Sequence, residues 1–228
     1  MIMAKNMPHF FNIKQNYYIS TNYKVLYSLL YSQPSLQVAA KISMAIHTYL
    51  NRFTPFHLRC HFLLVRDPYK RLVSFYKDKF RQQPLHKWLT YDELQICQRL
   101  FCPYIQINPY SSPADIREKL LSVSFTQFIN LLPQVYHLDD HLRPQTRLTM
   151  MFFHGIPIGS IKFERILKVE SSDDMAYLQD ELSIGLSKKY NNTDKILLPN
   201  PWSPALRAVV NNLYQADFEA FNYEMRTV

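Results

Sequence analysis

The sequence predicts an α/β protein with a mostly parallel central sheet flanked by helices. The first indication is an apolar run, HFLLV at residues 61–65, which is typical of a buried parallel strand and leads directly into a helical pattern. The second is an earlier junction of the same kind near the amino terminus. The third is the recurrence of strand and helix patterns along the rest of the chain. Because such sheets bind ligands at the carboxyl ends of their strands, we expect functional residues there.

The first strand-to-helix junction lies in the N-terminal part of the chain. Residues 14–19, KQNYYI, predict a strand. In the following STNYKVLYSLLYS, apolar residues recur at helical spacing, so Ser20 or Thr21 is interpreted as the N-cap of a helix. Residues 35–53 predict a second helix.

The second junction follows the apolar run at residues 61–65. Asp67 and Pro68 predict the start of a helix, because proline is favoured at the first helical position. The side chains expected to face inward from this helix are Leu72, Phe75, Tyr76 and Phe80. Its opposite face is expected to carry Lys70, Ser74, Lys77 and Arg81.

The rest of the chain predicts further elements but contains no repeat or convincing linker. Residues 84–118 are rich in proline and irregular. The other predicted elements are a helix at 124–134, strands at 148–154 and 156–166, a helix that ends near Gly185, a loop at 188–202 and a closing helix from Ser203. We therefore predict one domain over residues 1–228, with roughly residues 1–12 as a flexible N-terminal arm.

The composition narrows the class of function. The formal charge of +8, from 26 Lys and Arg against 18 Asp and Glu, favours an anionic ligand, although solubility alone would also account for it. With three glycines in the chain, there is neither a Walker-A loop nor a Rossmann glycine fingerprint. No apolar run reaches the roughly 18 residues of a membrane span. The N-terminal residues lack a signal-peptide core, so the expected location is the cytoplasm.

Neither the cysteines nor the histidines predict a metal site. Cys60, Cys97 and Cys102 fit no metal-binding spacing and are expected to be reduced thiols, although Cys97 and Cys102 could pair. His137 and His141 would share one face of a helix. The sequence around them disfavours a helix, however, and no third ligand is evident.

Arg66 and Ser74 form a first candidate anion site. Arg66 lies at the carboxyl end of the strand at 61–65, where open α/β sheets bind ligands. A forked guanidinium and a hydroxyl are suitable donors to one phosphate group. The alternative is a solvated basic helix face with no ligand.

A second candidate anion site lies at the first junction. Ser20, Thr21 and Asn22 are placed where the N–H groups and dipole of a helix attract anions, and Lys24 follows one turn later. The alternative is an ordinary N-cap. If both junctions belong to one parallel sheet, the two sites lie on the same edge.

Five segments resemble motifs of the carbohydrate sulfotransferases of the chondroitin/dermatan type, which use 3′-phosphoadenosine 5′-phosphosulfate (PAPS). RDPYKRLVSFYKDKF resembles the family's 3′-phosphate-binding segment in its arginine, its proline, the serine eight residues after the arginine and the closing DKF. STNYKVL resembles the 5′-phosphosulfate segment. The remaining matches are LDDHLRPQ, IKFERI and YQADFEAFNYE, in the family's order. Because no membrane anchor is evident, the chain resembles the soluble members.

The resemblance implies a fold related to the P-loop nucleotide kinases, with PAPS as the co-substrate. It implies transfer of a sulfuryl group from PAPS to a hydroxyl of a carbohydrate or glycoconjugate, with no metal and no nucleic acid. By position, the residues implied to bind the 3′-phosphate are Arg66 and Ser74. Those implied to bind the 5′-phosphosulfate are Ser20, Thr21, Asn22 and Lys24.

His141 occupies the histidine position of LDDHLRPQ and is the candidate general base. The acceptor hydroxyl must lose a proton as it attacks sulfur, and a neutral imidazole can accept it. The alternative is a structural histidine that pairs with Asp139 or Asp140.

The family's first motif differs here at the position of its usual lysine, which is Tyr17, and Ile19 replaces its glycine. Lys14 lies further back and is expected on the opposite face of the strand, so Lys24 is the candidate to stabilise the leaving oxygen. This departure leaves a second function open, in which a weak or inactive family member binds nucleotide or an anionic glycan.

Overall fold

A computed structural model of the chain describes residues 9–39, 60–153, 156–186, 196–198 and 200–227. The chain divides into two units. The first consists of residues 1–67, 144–190 and 219–222, and the second of residues 68–143, 191–218 and 223–228. Each unit therefore combines segments that are far apart in sequence. The prediction of one domain over residues 1–228 stays a prediction.

The first unit is built on a mixed β-sheet. The described strands are β1 (His9–Asn12), β2 (Tyr17–Thr21), β3 (Leu36–Val38), β4 (Cys60–Val65), β5 (Met150–Phe153), β6 (Ile156–Ser160) and β7 (Arg165–Lys168). Five of them form one sheet in the order β3-β1-β2-β4-β7, while β5 and β6 pair separately. β1 is antiparallel to β2 and β3, whereas β2, β4 and β7 pair in parallel. The predicted α/β class is confirmed. The prediction of a mostly parallel sheet is wrong for the described strands, because β1 pairs antiparallel with both β2 and β3 and makes the sheet mixed. The relation to nucleotide kinases stays a prediction.

The helices are mostly short. They are α1 (Tyr27–Tyr31), α2 (Pro68–Tyr76), α3 (Gln83–His86), α4 (Ile96–Arg99), α5 (Pro113–Ser122), α6 (Phe125–Val135), α7 (Ser172–Asp180), α8 (Pro204–Leu213) and α9 (Gln215–Ala220). A π-helical segment, Lys77–Gln82, joins α2 to α3. Within the described ranges, none of these helices has both the length and the apolar character needed to cross a bilayer.

Side chains alternate across the sheet, and one of its faces forms the core of the first unit. Tyr17 and Ile19 of β2 lie on this face with Phe62 and Leu64 of β4, all almost fully buried. The face is covered by apolar residues of α1 and α7, which include Leu29, Leu30 and Leu178. β2 is buried at every residue and β4 at every residue but its first, as expected for central parallel strands that are covered on both faces.

Aromatic side chains fill the core of the second unit. The predicted inward face of α2 is confirmed, since Leu72, Phe75, Tyr76 and Phe80 are each 1% exposed or less. Phe128 of α6 contacts this face, with its ring centroid 5.6 Å from that of Phe75. These contacts position α2 and the π-helical segment against α6.

Several helix starts follow directly from local chemistry. α2 begins at Pro68 as predicted. The Ser124 hydroxyl caps α6 by accepting the N–H of Gln127 at 3.1 Å, and the Gln127 Oε1 accepts the N–H of Ser124 at 2.7 Å. Ser203 caps α8, whose first residue is Pro204. The helices predicted at 124–134 and after Ser203 are confirmed, although the closing helix is divided in two.

Other predictions are wrong where tertiary contacts override local pattern. Residues 9–12 form β1 and are not part of a flexible arm. Residues 36–38 form β3, so the helix predicted at 35–53 does not begin there; most of that range lies outside the described residues. The single strand predicted at 156–166 is divided between β6 and β7, which belong to different sheets.

The N-cap predicted at Ser20 or Thr21 is also wrong. Both residues belong to β2, and α1 begins only at Tyr27, after a turn at residues 22–26. Pairing of β2 with its neighbours extends the strand through the predicted cap. The helix-dipole argument for an anion site therefore does not apply to Ser20, Thr21 and Asn22.

Candidate functional site

Three parallel strands of the first unit end at one edge of the sheet. Thr21 of β2 pairs with Leu64 of β4, and Val65 of β4 pairs with Lys168 of β7. The segments that follow these strands therefore lie along this edge. We call this the strand-end site, formed by the turn at residues 22–26, Arg66, Asp67 and Glu170. It corresponds to the place where open α/β sheets bind ligands.

The backbone of Arg66 is held in place by the side chain of Gln145. The Gln145 Oε1 accepts the Arg66 N–H at 3.0 Å, and the Gln145 Nε2 donates to the Arg66 carbonyl at 2.8 Å. Gln145 is fully buried. The next amide, that of Asp67, donates to both carboxylate oxygens of Glu170 at 3.3 Å. These bonds determine where the Arg66 side chain leaves the sheet.

The Arg66 guanidinium connects the two predicted anion-binding segments of this unit. Its Nη1 donates to the carbonyl oxygen of Lys24 at 3.1 Å, and its Nε lies 3.7 Å from a Glu170 carboxylate oxygen. The Arg66 side chain keeps 28% of its surface exposed. The structure thus brings Arg66 and Lys24 together. Glu170 orients the guanidinium and partly neutralises it.

The turn at residues 22–26 has an unusual backbone. Lys24 and Leu26 adopt left-handed conformations, with φ of 68° and 53°. Such conformations are costly for residues other than glycine and concentrate at functional sites. The Thr21 hydroxyl stabilises the turn by donating to the Val25 carbonyl at 2.6 Å. Left-handed residues allow backbone N–H groups to converge in anion-binding concavities.

The polar side chains predicted as anion ligands in this segment have structural roles. Ser20, Thr21 and Asn22 have essentially no exposed surface. The Ser20 hydroxyl lies 2.7 Å from the His9 Nδ1, and the Asn22 Oδ1 accepts the N–H of Tyr23 at 2.7 Å. Lys24, by contrast, is half-exposed. Of residues 20–24, Lys24 is therefore the cationic residue, and it keeps part of its surface exposed.

Tyr17, at the position of the family's usual lysine, is a core residue. It is 3% exposed, its hydroxyl donates to the Leu182 carbonyl at 2.7 Å, and it accepts from Asn12 at 3.1 Å. Burial raises the pKa of this phenol, and the Asn12 hydrogen bond offsets part of that effect. Lys14 lies in the turn between β1 and β2, at the end of β2 opposite to Lys24. Neither residue supplies a cation to the strand-end site.

The other two predicted site residues, Ser74 and His141, belong to the second unit. Ser74 lies on α2 and is half-buried. The His141 Nδ1 lies 2.6 Å from Asp139 Oδ1, which also accepts the His141 backbone N–H at 2.8 Å. Asp140 instead pairs with Arg143. Of the two structural partners considered for His141, the structure selects Asp139.

Asp139 controls which ring nitrogen of His141 can accept a proton. Burial alone raises the pKa of the Asp139 carboxyl, but the hydrogen bonds from His141 and the charges of His141 and Arg143 outweigh it and hold the pKa below its usual range. An ionised Asp139 accepts the proton of Nδ1, which leaves the lone pair of a neutral ring on Nε2. This arrangement is suitable for a general base.

A buried cation anchors the segment that carries His141. Arg71 of α2 is fully buried, and its Nη1 donates to the Arg143 carbonyl at 2.9 Å. Its Nη2 lies 3.8 Å from Asp217, and its guanidinium lies over the ring of Tyr214. The Tyr214 hydroxyl donates to the Leu142 carbonyl at 2.6 Å. Asp217 belongs to the segment YQADFEAFNYE, so this motif supports the His141 segment.

Sequence reasoning missed four residues that organise these sites: Arg71, Gln145, Glu170 and Asp217. Gln145 and Asp217 lie in the motifs LDDHLRPQ and YQADFEAFNYE. The resemblance therefore pointed to their positions but assigned no role to either residue. Arg71 lies beside Leu72 on a helix whose charged residues were expected to face solvent, and its burial contradicts that pattern.

The comparisons with known proteins agree with this architecture. A profile described as the sulfotransferase family matches residues 12–224, so the chain belongs to the sulfotransferase family. Carbohydrate sulfotransferase 12 of Mus musculus is 26% identical over 179 residues, which cover 71% of this chain and 39% of that relative's own length. The predicted resemblance to carbohydrate sulfotransferases is confirmed. No solved structure matches the chain significantly.

Replacing Asp139 by asparagine tests its pairing with His141. Because the folded-state pKa of Asp139 lies below the unfolded value of about 3.9, its ionised form stabilises the fold above that pH. We expect the difference in unfolding free energy between wild type and Asp139→Asn to shrink as the pH falls from about 5 to 2. Denaturant titrations at several pH values measure it. A difference that stays constant over this range would contradict the pairing.

Replacing Asp217 by asparagine tests the anchor of the His141 segment. The substitution leaves the Arg71 charge buried without its carboxylate, so we expect a loss of about 3 kcal/mol in unfolding free energy. Lys119→Gln is the control, because it breaks the partly exposed Lys119–Asp115 pair and should cost less than about 1 kcal/mol. Denaturant unfolding measures both values. Equal losses would contradict a special role for the buried pair.

Proposed function

We propose that this protein transfers a sulfuryl group from PAPS to a hydroxyl of a carbohydrate or glycoconjugate. Membership of the sulfotransferase family supports the reaction, and the similarity to a carbohydrate sulfotransferase supports a sugar acceptor. The observation that carries the proposal is the hydrogen bond from Arg66 to the carbonyl of Lys24. This bond joins Arg66 to the backbone of the turn that carries Lys24, at the ends of adjacent parallel strands, where open α/β sheets bind ligands.

In this proposal, the cationic residues bind the donor. Arg66 binds the 3′-phosphate through its guanidinium, and Ser74 keeps the role in 3′-phosphate binding that its motif implies. The turn at residues 22–26 and Lys24 bind the 5′-phosphosulfate. Ser20, Thr21 and Asn22 contribute by shaping this turn, since their side chains are buried.

The reaction is an in-line displacement at sulfur, by analogy with phosphoryl transfer. The acceptor oxygen forms a bond to sulfur while the bond from sulfur to the bridging oxygen breaks, which yields a sulfate ester and 3′-phosphoadenosine 5′-phosphate. Nε2 of His141 takes the proton of the acceptor hydroxyl, and Asp139 stabilises the resulting imidazolium. The Lys24 ammonium stabilises the negative charge that develops on the bridging oxygen.

A second function remains open because of Tyr17. Tyr17 stands at the position of the family's usual lysine and is buried, so β2 lacks that cation. This absence favours a family member that binds nucleotide or an anionic glycan without transfer. Transfer of labelled sulfate from PAPS to a panel of glycans distinguishes the two functions. Protein that binds the 3′,5′-bisphosphate product but labels no glycan in the panel would favour the binding function.

Replacing Arg66 by alanine tests recognition of the 3′-phosphate. A charge-assisted hydrogen bond contributes about 1.5–3 kcal/mol, so we expect the affinity for 3′-phosphoadenosine 5′-phosphate to fall by roughly 10- to 100-fold. Affinity for AMP, which lacks the 3′-phosphate, should change little. Arg165→Ala removes an equal charge from the amino end of β7 and serves as the control. Isothermal titration measures all affinities, and equal losses for both nucleotides would contradict the assignment.

Replacing His141 by alanine tests the general base. Loss of such a group lowers turnover by about 10²- to 10⁴-fold, while nucleotide affinity should stay within about twofold. His137→Ala is the control, because His137 is exposed. The substitution removes a ring contact with Tyr136 but keeps the backbone carbonyl that Arg143 contacts. Steady-state transfer rates measure the effect. Unchanged turnover in His141→Ala would remove this residue as the base.

A further inference from the structure

Three potential metal ligands meet in the second unit, although they are far apart in sequence. The ligand atoms of Cys97, Asp139 and His141 all lie within 4.8 Å of one another. Cys97 belongs to α4, and the other two residues follow α6. Cys97 is fully buried, whereas the Asp139 and His141 side chains are 13% and 19% exposed. The cluster is therefore closed on its thiol side and reachable from solvent on the other.

We propose that Cys97, Asp139 and His141 form a binding site for a divalent transition metal ion of the zinc class. A sulfur, a nitrogen and an oxygen donor suit Zn²⁺, whereas Mg²⁺ and Ca²⁺ prefer oxygen ligands alone. A thiolate and a carboxylate together neutralise the two positive charges of the ion. Such neutrality matters here, because an uncompensated charge in a partly buried site is costly.

The distances fit this ion after a small adjustment. With Zn–S near 2.3 Å and Zn–N or Zn–O near 2.0–2.2 Å, tetrahedral ligand atoms lie roughly 3–4 Å apart. The ligand atoms of this cluster lie within 4.8 Å of one another, which is close to that range. The 2.6 Å contact between Asp139 and His141 must open slightly, as the ion takes the place of the proton that these two atoms share.

The surroundings restrict the movement of the ligands. The Asp139 carboxylate is oriented by the His141 backbone N–H at 2.8 Å. The His141 ring lies 6.2 Å from the Phe75 ring, and the Cys97 Sγ lies 3.8 Å from the Gln95 Oε1. Interactions of this kind orient metal ligands and contribute to affinity. Three protein ligands leave a fourth position for water.

The metal site does not depend on the proposed sulfuryl transfer, because binding requires only the three side chains. If the transfer also holds, an ion bound here would occupy the imidazole needed as base and would inhibit the reaction. This cluster differs from the His137–His141 pair that the sequence disfavoured as a metal site, since His137 is not part of it.

Cobalt(II) binding to the full chain tests the proposal without any assay of transfer. The protein carries Cys60→Ser to remove the exposed thiol, and it is first treated with a chelator. We expect one equivalent of Co²⁺ to produce the near-ultraviolet band of a thiolate ligand and the visible bands of a tetrahedral site, and one equivalent of Zn²⁺ to abolish both. Absence of the thiolate band would overturn the proposal.

Matched variants assign the ligands. Cys97→Ser should lose the thiolate band, and Asp139→Asn should weaken Co²⁺ binding at least tenfold. Cys102→Ser is the control, because Cys102 is equally buried but lies outside the cluster, and it should retain the band. A band that survives in Cys97→Ser, or disappears in Cys102→Ser, would overturn the assignment. Circular dichroism checks that each variant folds. If Cys97→Ser does not fold, the test depends on Asp139→Asn, and Co²⁺ binding as tight as in the wild type would overturn the assignment.

Discussion

Hydrogen bonds from the backbone to the side chains of Gln145 and Glu170 determine how the chain leaves β4, and the strand-end site depends on them. Gln145 binds both the N–H and the carbonyl of Arg66, and Glu170 accepts the N–H of Asp67. Backbone groups buried without partners would destabilise the fold, so these side chains are structural requirements. The same bonds direct the Arg66 guanidinium toward the carbonyl of Lys24. One local constraint therefore both completes the sheet edge and positions the cation that we propose binds an anion.

The second unit applies the same principle to a histidine. Arg71 and Tyr214 hold the carbonyls of Arg143 and Leu142, so the chain around His141 is fixed by buried groups. Burial raises the pKa of the Tyr214 phenol, which keeps it a neutral donor. Asp139 then orients the imidazole. In both units, buried polar side chains hold the backbone, while partly exposed ones remain available for chemistry.

Local patterns predicted the parts of the fold that local forces decide. Pro68, the apolar run before it and the apolar stripe of α2 each carry a strong short-range signal, and the structure agrees with them. The start of α1 could not be predicted in this way, because strand pairing extends β2 past Ser20 and left-handed residues at Lys24 and Leu26 delay the helix. Arg66 was found because it ends a strand. Glu170 was missed because its role arises from contacts with Arg66 and Asp67, which are distant in sequence.

The central claim is that the strand-end site recognises an adenosine with phosphates at both its 3′ and 5′ positions. The most direct measurement is the thermal unfolding midpoint of the wild-type protein with 3′-phosphoadenosine 5′-phosphate, AMP or ATP at equal concentration. A ligand at about 100 times its Kd stabilises the folded state by about 2.7 kcal/mol, which raises the midpoint by several degrees. We predict this increase for the 3′,5′-bisphosphate and a much smaller one for AMP and ATP. Equal increases for all three, or none for the bisphosphate, would contradict the claim.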